Sequence, residues 1–170
     1  NEPSINVYDY NLVKNTQNEI VNIPQSPIAL QKAVKNEQEL MHLKECFLKT
    51  DIVISRLKTW LSQGIEADKK ITEKDISQRV KKYYLEEGAL SLSFETIAAG
   101  GKNSAIIHYS NPNDKKILES GEFLLLDCGG YFNGGYATDI TRTILINNKT
   151  VPDNLQKKVY TVVLKAFLNG

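Results

Sequence analysis

Between Leu40 and Leu61 the apolar positions fall three and four residues apart. Leu40, Leu43, Phe47, Ile54, Leu57 and Leu61, with Thr50 completing the seam, predict one buried stripe on a long helix. Asn36 followed by Glu39 is a capping-box start for it, and Gly64 is the expected stop. Thr72 with Asp75 repeats the start signal ahead of Ile76, Val80, Tyr83 and Tyr84, and Gly88 repeats the stop. The period then changes. Ser91 to Ala99 and Ser104 to Tyr109 read as strands around Gly100-Gly101-Lys102-Asn103, and Asn111 to Ser120 reads as a polar connection. Asp153, just after Pro152, opens a last helix with Leu155, Val159, Val162, Val163 and Ala166 on one face. Upstream, Pro24 and Pro27 predict an extended linker over Ile23 to Ile28, and Asn1 to Asn22 is polar with a short alternating stretch, Ile5-Asn6-Val7-Tyr8. Helices, then antiparallel strands, then a closing helix give an α+β class.

The stretch FLLLDCGGYFNGGYATDITRTILI, Phe123 to Ile146, interrupts this pattern with chemistry: two strands each carry one aspartate in otherwise uncharged or apolar surroundings, Arg142 excepted. A three-residue loop Phe132-Asn133-Gly134 would pair Tyr131 with Gly135 and set Asp127 opposite Asp139 on one face. The glycines at 129, 130 and 135 also permit a bulge or slip. In facing register the two β-carbons lie ~5 Å apart. Bare carboxylates at that distance repel by roughly 3 to 4 kcal/mol at an effective dielectric of 20. One carboxyl is protonated, a basic side chain intervenes, or a divalent metal binds both. Arg142 is the nearby base, yet alternation points it away from Asp139. The bland alternative is an aspartate at a bulge or edge facing water.

Composition narrows the class. The chain has 170 residues, 41% of them hydrophobic, enough for one ordinary domain. A net charge of +1 with mixed signs offers no footprint for nucleic acid or a membrane surface. No apolar run approaches the ~18 residues of a membrane span. Cys46 and Cys128 sit in unrelated contexts and read as reduced thiols of a cytosolic protein. His42, on the long helix, has no partner motif and reads as a helix-side residue; Gly100-Gly101-Lys102 lacks the spacing of a phosphate loop.

The block SFETIAAGGKNSAIIHY at 93–109, followed by LLLDCGGYFNGGYATDITRT at 124–143, resembles the Xaa-Pro aminopeptidase (aminopeptidase P) family. SPIALQKAVKNEQEL at 26–40 resembles the entry to the catalytic domain in its cytosolic three-domain branch. The resemblance implies the first αβ half of a pita-bread domain, with long helices on a curved antiparallel sheet. It divides the chain into the tail of a preceding domain (1–22), an entry segment (23–35) and a truncated catalytic domain (36–170). It also implies two divalent ions, manganese being the usual metal, with Asp127 binding one and Asp139 bridging both. His108 matches a histidine that helps hold the scissile carbonyl, and Thr141 a threonine near the metal-bound water. The substrate implied is a peptide with proline in second position, in the cytoplasm, and a homodimer of the intact parent is left open.

The family's remaining ligands, one histidine and two glutamates, have no match here: after Asp139 the sequence contains neither residue type. The family also has one residue fewer between the aspartates. The expectation is therefore a piece of a peptidase, inactive alone, with one sheet face and edge uncovered. Two other readings stand beside it: a pita-bread module that binds peptides or proteins without catalysis, and a prolidase or methionine aminopeptidase relative.

Overall fold

The computed structural model describes residues 5–16, 21, 26–146 and 151–170. The chain divides into two compact units, residues 1–42 and 43–170, the boundary falling inside a long helix.

The first unit holds α1 (Val7–Lys14), α2 (Pro27–Ala33) and the first residues of α3 (Glu37–Glu66). Each start is a local side-chain cap. Asn6 accepts from the Asp9 amide (2.9 Å), and Ser26 accepts from the Ala29 amide (3.4 Å) with Pro27 at the first helical position. Asn36 and Glu39 bond each other's backbone amides at 2.9 and 2.8 Å. Pro27–Ala33 is thus helical where the proline pattern predicted extended chain; the linker's residues 23–25 lie outside the described residues. The alternation at Val7-Tyr8 is likewise overridden by the Asn6 cap.

The second unit contains the rest of α3, α4 (Glu73–Glu86), β1 (Ser91–Leu92), β2 (Ile97–Gly100), a 3-10 turn (Gly101–Ala105), β3 (Phe123–Cys128), β4 (Gly130–Phe132), β5 (Tyr136–Ala137), β6 (Ile140–Leu145) and α5 (Asn154–Asn169). The strands form two three-stranded antiparallel sheets, ordered β1-β4-β5 and β2-β3-β6. The α+β class read from the sequence is the one found.

The buried stripe of α3 is Cys46, Thr50, Val53, Ile54, Leu57, Leu61 and Gly64; Leu40 and Phe47 are exposed, so the stripe is rotated relative to the one predicted. It meets Ile76, Val80 and Tyr84 of α4 and the inward row Leu124, Leu126 and Cys128 of β3 in one core. Gly64 does not stop α3. It is buried against Ile71, whose Cδ1 would lie 2.5 Å from an added β-carbon. The stop comes later, where Asp68 takes a left-handed φ of 52° and the Lys69 and Asp68 amides close on the Gly64 and Ile65 carbonyls. Gly88 ends α4 as predicted: at φ 87° it lets the Ala89 amide reach the Tyr84 carbonyl at 2.9 Å. Trp60 is half-buried under the Arg79 guanidinium, 4.7 Å from its ring.

One prediction downstream fails for a physical reason. Ser104–Tyr109 is not a strand: Gly101–Ala105 winds into a 3-10 turn, the Ser104 hydroxyl bonds the Gly101 carbonyl (2.6 Å), and Ile106 and Ile107 are exposed. The expected apolar face of α5 is also exposed, with Leu155, Val159, Val162 and Val163 all more than half accessible. The helix itself starts where predicted, on an Asp153–Gln156 capping box.

Candidate metal centre

The site is built on β3 and β6. In β3, burial alternates strictly: Leu124, Leu126 and Cys128 face the core, and Phe123, Leu125 and Asp127 face the other way. β6 pairs with it so that Asp127 lies opposite Thr141, not Asp139. The predicted register is corrected by two residues because the turn is Asn133-Gly134-Gly135, with Phe132 opposite Tyr136. Gly134 and Gly135 both have positive φ (83° and 81°), and the Gly135 amide closes the turn on the Phe132 carbonyl at 3.2 Å. A shift of two keeps every side chain on its face. Asp139 therefore stays on the Asp127 side as a diagonal rather than a direct neighbour.

Between the two sheets the ribbon is pinched. Gly129 and the pair Thr138-Asp139 lie outside any strand, and buried Thr138 holds the junction. Its hydroxyl accepts from the Gly130 amide (3.1 Å) and bonds buried Thr50 (2.9 Å), while its carbonyl accepts from the Ser93 hydroxyl (2.9 Å). Nothing in the sequence spacing signalled this Thr50–Thr138 pair, because isolated threonines carry no periodicity.

Asp127 is half-buried, and its Oδ1 is fully buried with no hydrogen-bond partner. Burial is the main cause that holds its carboxyl above the usual carboxylate range. The Thr141 hydroxyl acts in the opposite direction, the charge and hydrogen bonding of Asp139 push it up again, and His108 pulls it down. Asp139, Thr141 and His108, the other residues singled out from the sequence, thus all bear on the Asp127 carboxyl. The other three are exposed, and His108 sits at a left-handed φ of 53° on the segment leaving the 3-10 turn.

A buried carboxylate oxygen without a donor is suited to a cation, and an oxygen donor set suits a hard divalent ion. The set is short, however. Among the described residues no group of three or more His, Cys, Asp or Glu side chains is arranged to hold a metal. A cleft of about 260 Å³ opens at the other end of the same sheet face, between Phe123, Thr143 and Leu145 and the α5 residues Gln156, Lys157 and Tyr160. It has no acid or histidine and is not part of this centre. Cys46 and Cys128 are both free and buried; burial pushes the Cys128 thiol up to about 12, which leaves it inert at neutral pH. Sequence reasoning missed Glu73, which is fully buried although an acid in the first turn of a helix is usually solvated.

The chain belongs to metallopeptidase family M24, whose sequence pattern matches residues 42–170. Within that family it is similar to Xaa-Pro aminopeptidases. Aminopeptidase P2 of Arabidopsis thaliana is 32% identical over 146 residues, 85% of this chain and 20% of that protein. Xaa-Pro aminopeptidase 2 of Sus scrofa is 38% identical over 141 residues, 82% of this chain and 20% of that protein. The chain thus spans about a fifth of the length of these curated relatives. Among solved structures, the X-Pro aminopeptidase of Thermotoga maritima superposes with a TM-score of 0.65 at 30% identity, over 82% of this chain and 36% of that one. The Xaa-Pro dipeptidase of Bacillus anthracis reaches 0.76 at 28% identity, over 98% and 44%. The X-prolyl aminopeptidase of Caenorhabditis elegans, described as a cytosolic enzyme with a di-nuclear active site, gives 0.69 at 26% identity, over 76% and 21%. The fold is the α+β arrangement expected of a first pita-bread half.

Proposed function

We propose that this chain carries the first part of the metal site of an Xaa-Pro aminopeptidase. Asp127 and Asp139 are the ligands it contributes to two divalent ions, with manganese the expected metal. The buried, donorless Oδ1 of Asp127 carries this reading, because such an oxygen is costly without a cation to meet it. Ions bound there supply an activated water and Lewis-acid polarisation of a carbonyl. The chain's own residues do the rest of what it contributes. The Thr141 hydroxyl steadies Asp127 from the facing position on β6. His108, exposed and lowering the Asp127 carboxyl, would hydrogen-bond the scissile carbonyl oxygen and the charge that develops on it. The substrate in this reading is a peptide with proline in second position, and the location is cytoplasmic. Residues 36–170 form the catalytic portion, preceded by an entry segment (23–35) and a tail (1–22).

Two carboxylates fall short of the five or six donors such ions take, so the chain alone is proposed to be inactive. In a polypeptide that supplies the other ligands, manganese-dependent release of the first residue from Xaa-Pro peptides is the expected result. There His108→Ala lowers kcat by about 10²-fold while KM changes far less. Cleavage of Met-Ala peptides in place of Xaa-Pro ones would instead make it a methionine-specific relative. Peptide binding without turnover at saturating manganese would make it a binding module.

A further inference from the structure

Glu73 is the first residue of α4 and is completely buried, yet no basic side chain among the described residues pairs with it. Its oxygens are met by neutral donors from one stretch of chain. Oε1 accepts from the Gly100 amide and from the Asn103 side chain, both at 2.8 Å. Oε2 accepts from the Tyr109 hydroxyl at 2.8 Å, and from the Asn113 side chain and amide at 3.3 and 3.4 Å. Asn103 and Asn113 each also donate to the Tyr109 oxygen at 3.1 Å, which ties the donors to one another. The Tyr109 phenol is pushed up by burial and then by its bond to Glu73, so it remains a donor at any ordinary pH.

This carboxylate is not needed to cap α4. Thr72 and Asp75 already form a complete capping box there. What Glu73 joins is distant in sequence: the end of β2, the 3-10 turn, and the two sides of His108. His108 is held at φ 53°, a conformation that a non-glycine residue keeps only where its surroundings impose it. Tyr109 follows it directly, and Asn103 and Asn113 lie five residues to either side. Between Gly100, which ends β2, and Asn113, whose carbonyl accepts from the Lys74 amide at 3.3 Å, the segment pairs with no strand among the described residues, and the buried carboxylate ties its donors together.

We propose that Glu73 is a positioning residue: it clamps the Gly100–Asn113 segment at both ends and so fixes His108 in its left-handed conformation. This rests on the reading of His108 and Asp127 given under Proposed function. The test reads the metal-free chain by amide hydrogen exchange and by the His108 HN–Hα coupling, so it stands apart from whether Asp127 binds a metal. Glu73→Gln is expected to speed exchange at Gly100, Ile106 and Asn113 by about tenfold while the Val80 and Tyr84 amides hold. The His108 coupling should move from its left-handed value toward a coil average. Tyr109→Phe, which removes one donor and leaves the carboxylate in place, should give the same pattern more weakly and serves if Glu73→Gln does not fold. Thr72→Ala, which weakens the helix start alone, should speed the α4 amides and leave the His108 coupling unchanged. Exchange rising equally throughout the unit, or a His108 coupling unchanged in both Glu73→Gln and Tyr109→Phe, would overturn the proposal.

Discussion

Gly129→Ala is expected to cost about 3 kcal/mol or more, a large share of the stability of an ordinary domain. The reason is space rather than backbone conformation. A β-carbon on Gly129 would lie 1.9 Å from the Thr138 carbonyl oxygen, 2.7 Å from its carbon and 2.3 Å from the Ser93 hydroxyl. Two of those atoms are backbone and cannot rotate away. Moving them would break the Ser93–Thr138 bond and strain the Thr138 contacts with Gly130 and Thr50, where the ribbon passes between the sheets. Asp139 is the next residue along, so fold and site fail together. Gly135→Ala is the control. A β-carbon there meets nothing within 4 Å, and only its φ of 81° resists, which costs roughly 1 kcal/mol. Urea unfolding followed by the single tryptophan, Trp60, separates the two cases. Equal midpoints for the two variants would show that the junction is not tight.

Asp127→Asn is expected to make the metal-free chain more stable at neutral pH, the reverse of the usual effect of altering a half-buried residue. Burial, with Asp139 adding to it, raises the native carboxyl above its ordinary value. The folded state therefore holds this proton more tightly than the unfolded state. The stabilisation is complete below the unfolded value of about 4 and is lost as pH rises through the raised native value. Wild type should match Asp127→Asn in the acid range, fall behind it across that window, and stay behind above it. A divalent ion reverses the order. At a hundredfold excess over its dissociation constant it stabilises wild type by about 2.7 kcal/mol and leaves Asp127→Asn where it was. A metal-free variant less stable than wild type at neutral pH would mean that the Asp127 oxygen is not stranded.

The sequence was most legible where structure is local. The capping pairs Asn36/Glu39 and Thr72/Asp75 form as read, Asp153 opens its helix, and Gly88 ends its own. These signals work within one helical turn and need nothing from the rest of the fold. Gly64 carried the same stop signal and did not act on it, because Ile71 needs the space a side chain would fill. That contact lies outside the helix and leaves no mark in its periodicity. The Ser104–Tyr109 segment read as a strand, but among the described residues no strand pairs with it, and the Glu73 donors Asn103 and Tyr109 lie at its ends.

The face shared by Asp127 and Thr141 was legible in the sequence, and the register was not. Parity puts Asp127 and Thr141 on one face, and Asp139, Thr141 and His108 all bear on the Asp127 carboxyl, although His108 lies on no strand and parity says nothing of it. The pairing depended on which residues of a glycine-rich tip turn left-handed, and three adjacent candidates could not be ranked from sequence. The actual choice, Gly134 with Gly135, moves the pairing by two and leaves the face unchanged. Glu73 left no signal because its partners lie 27 to 40 residues away.

Manganese titration of wild type, Asp127→Asn and Asp139→Asn, followed by calorimetry on the chain as it stands, tests the central claim most directly. Weak uptake by wild type, abolished by either substitution, is the result the shared face predicts. Equal uptake by all three proteins would show that these two aspartates do not hold the metal.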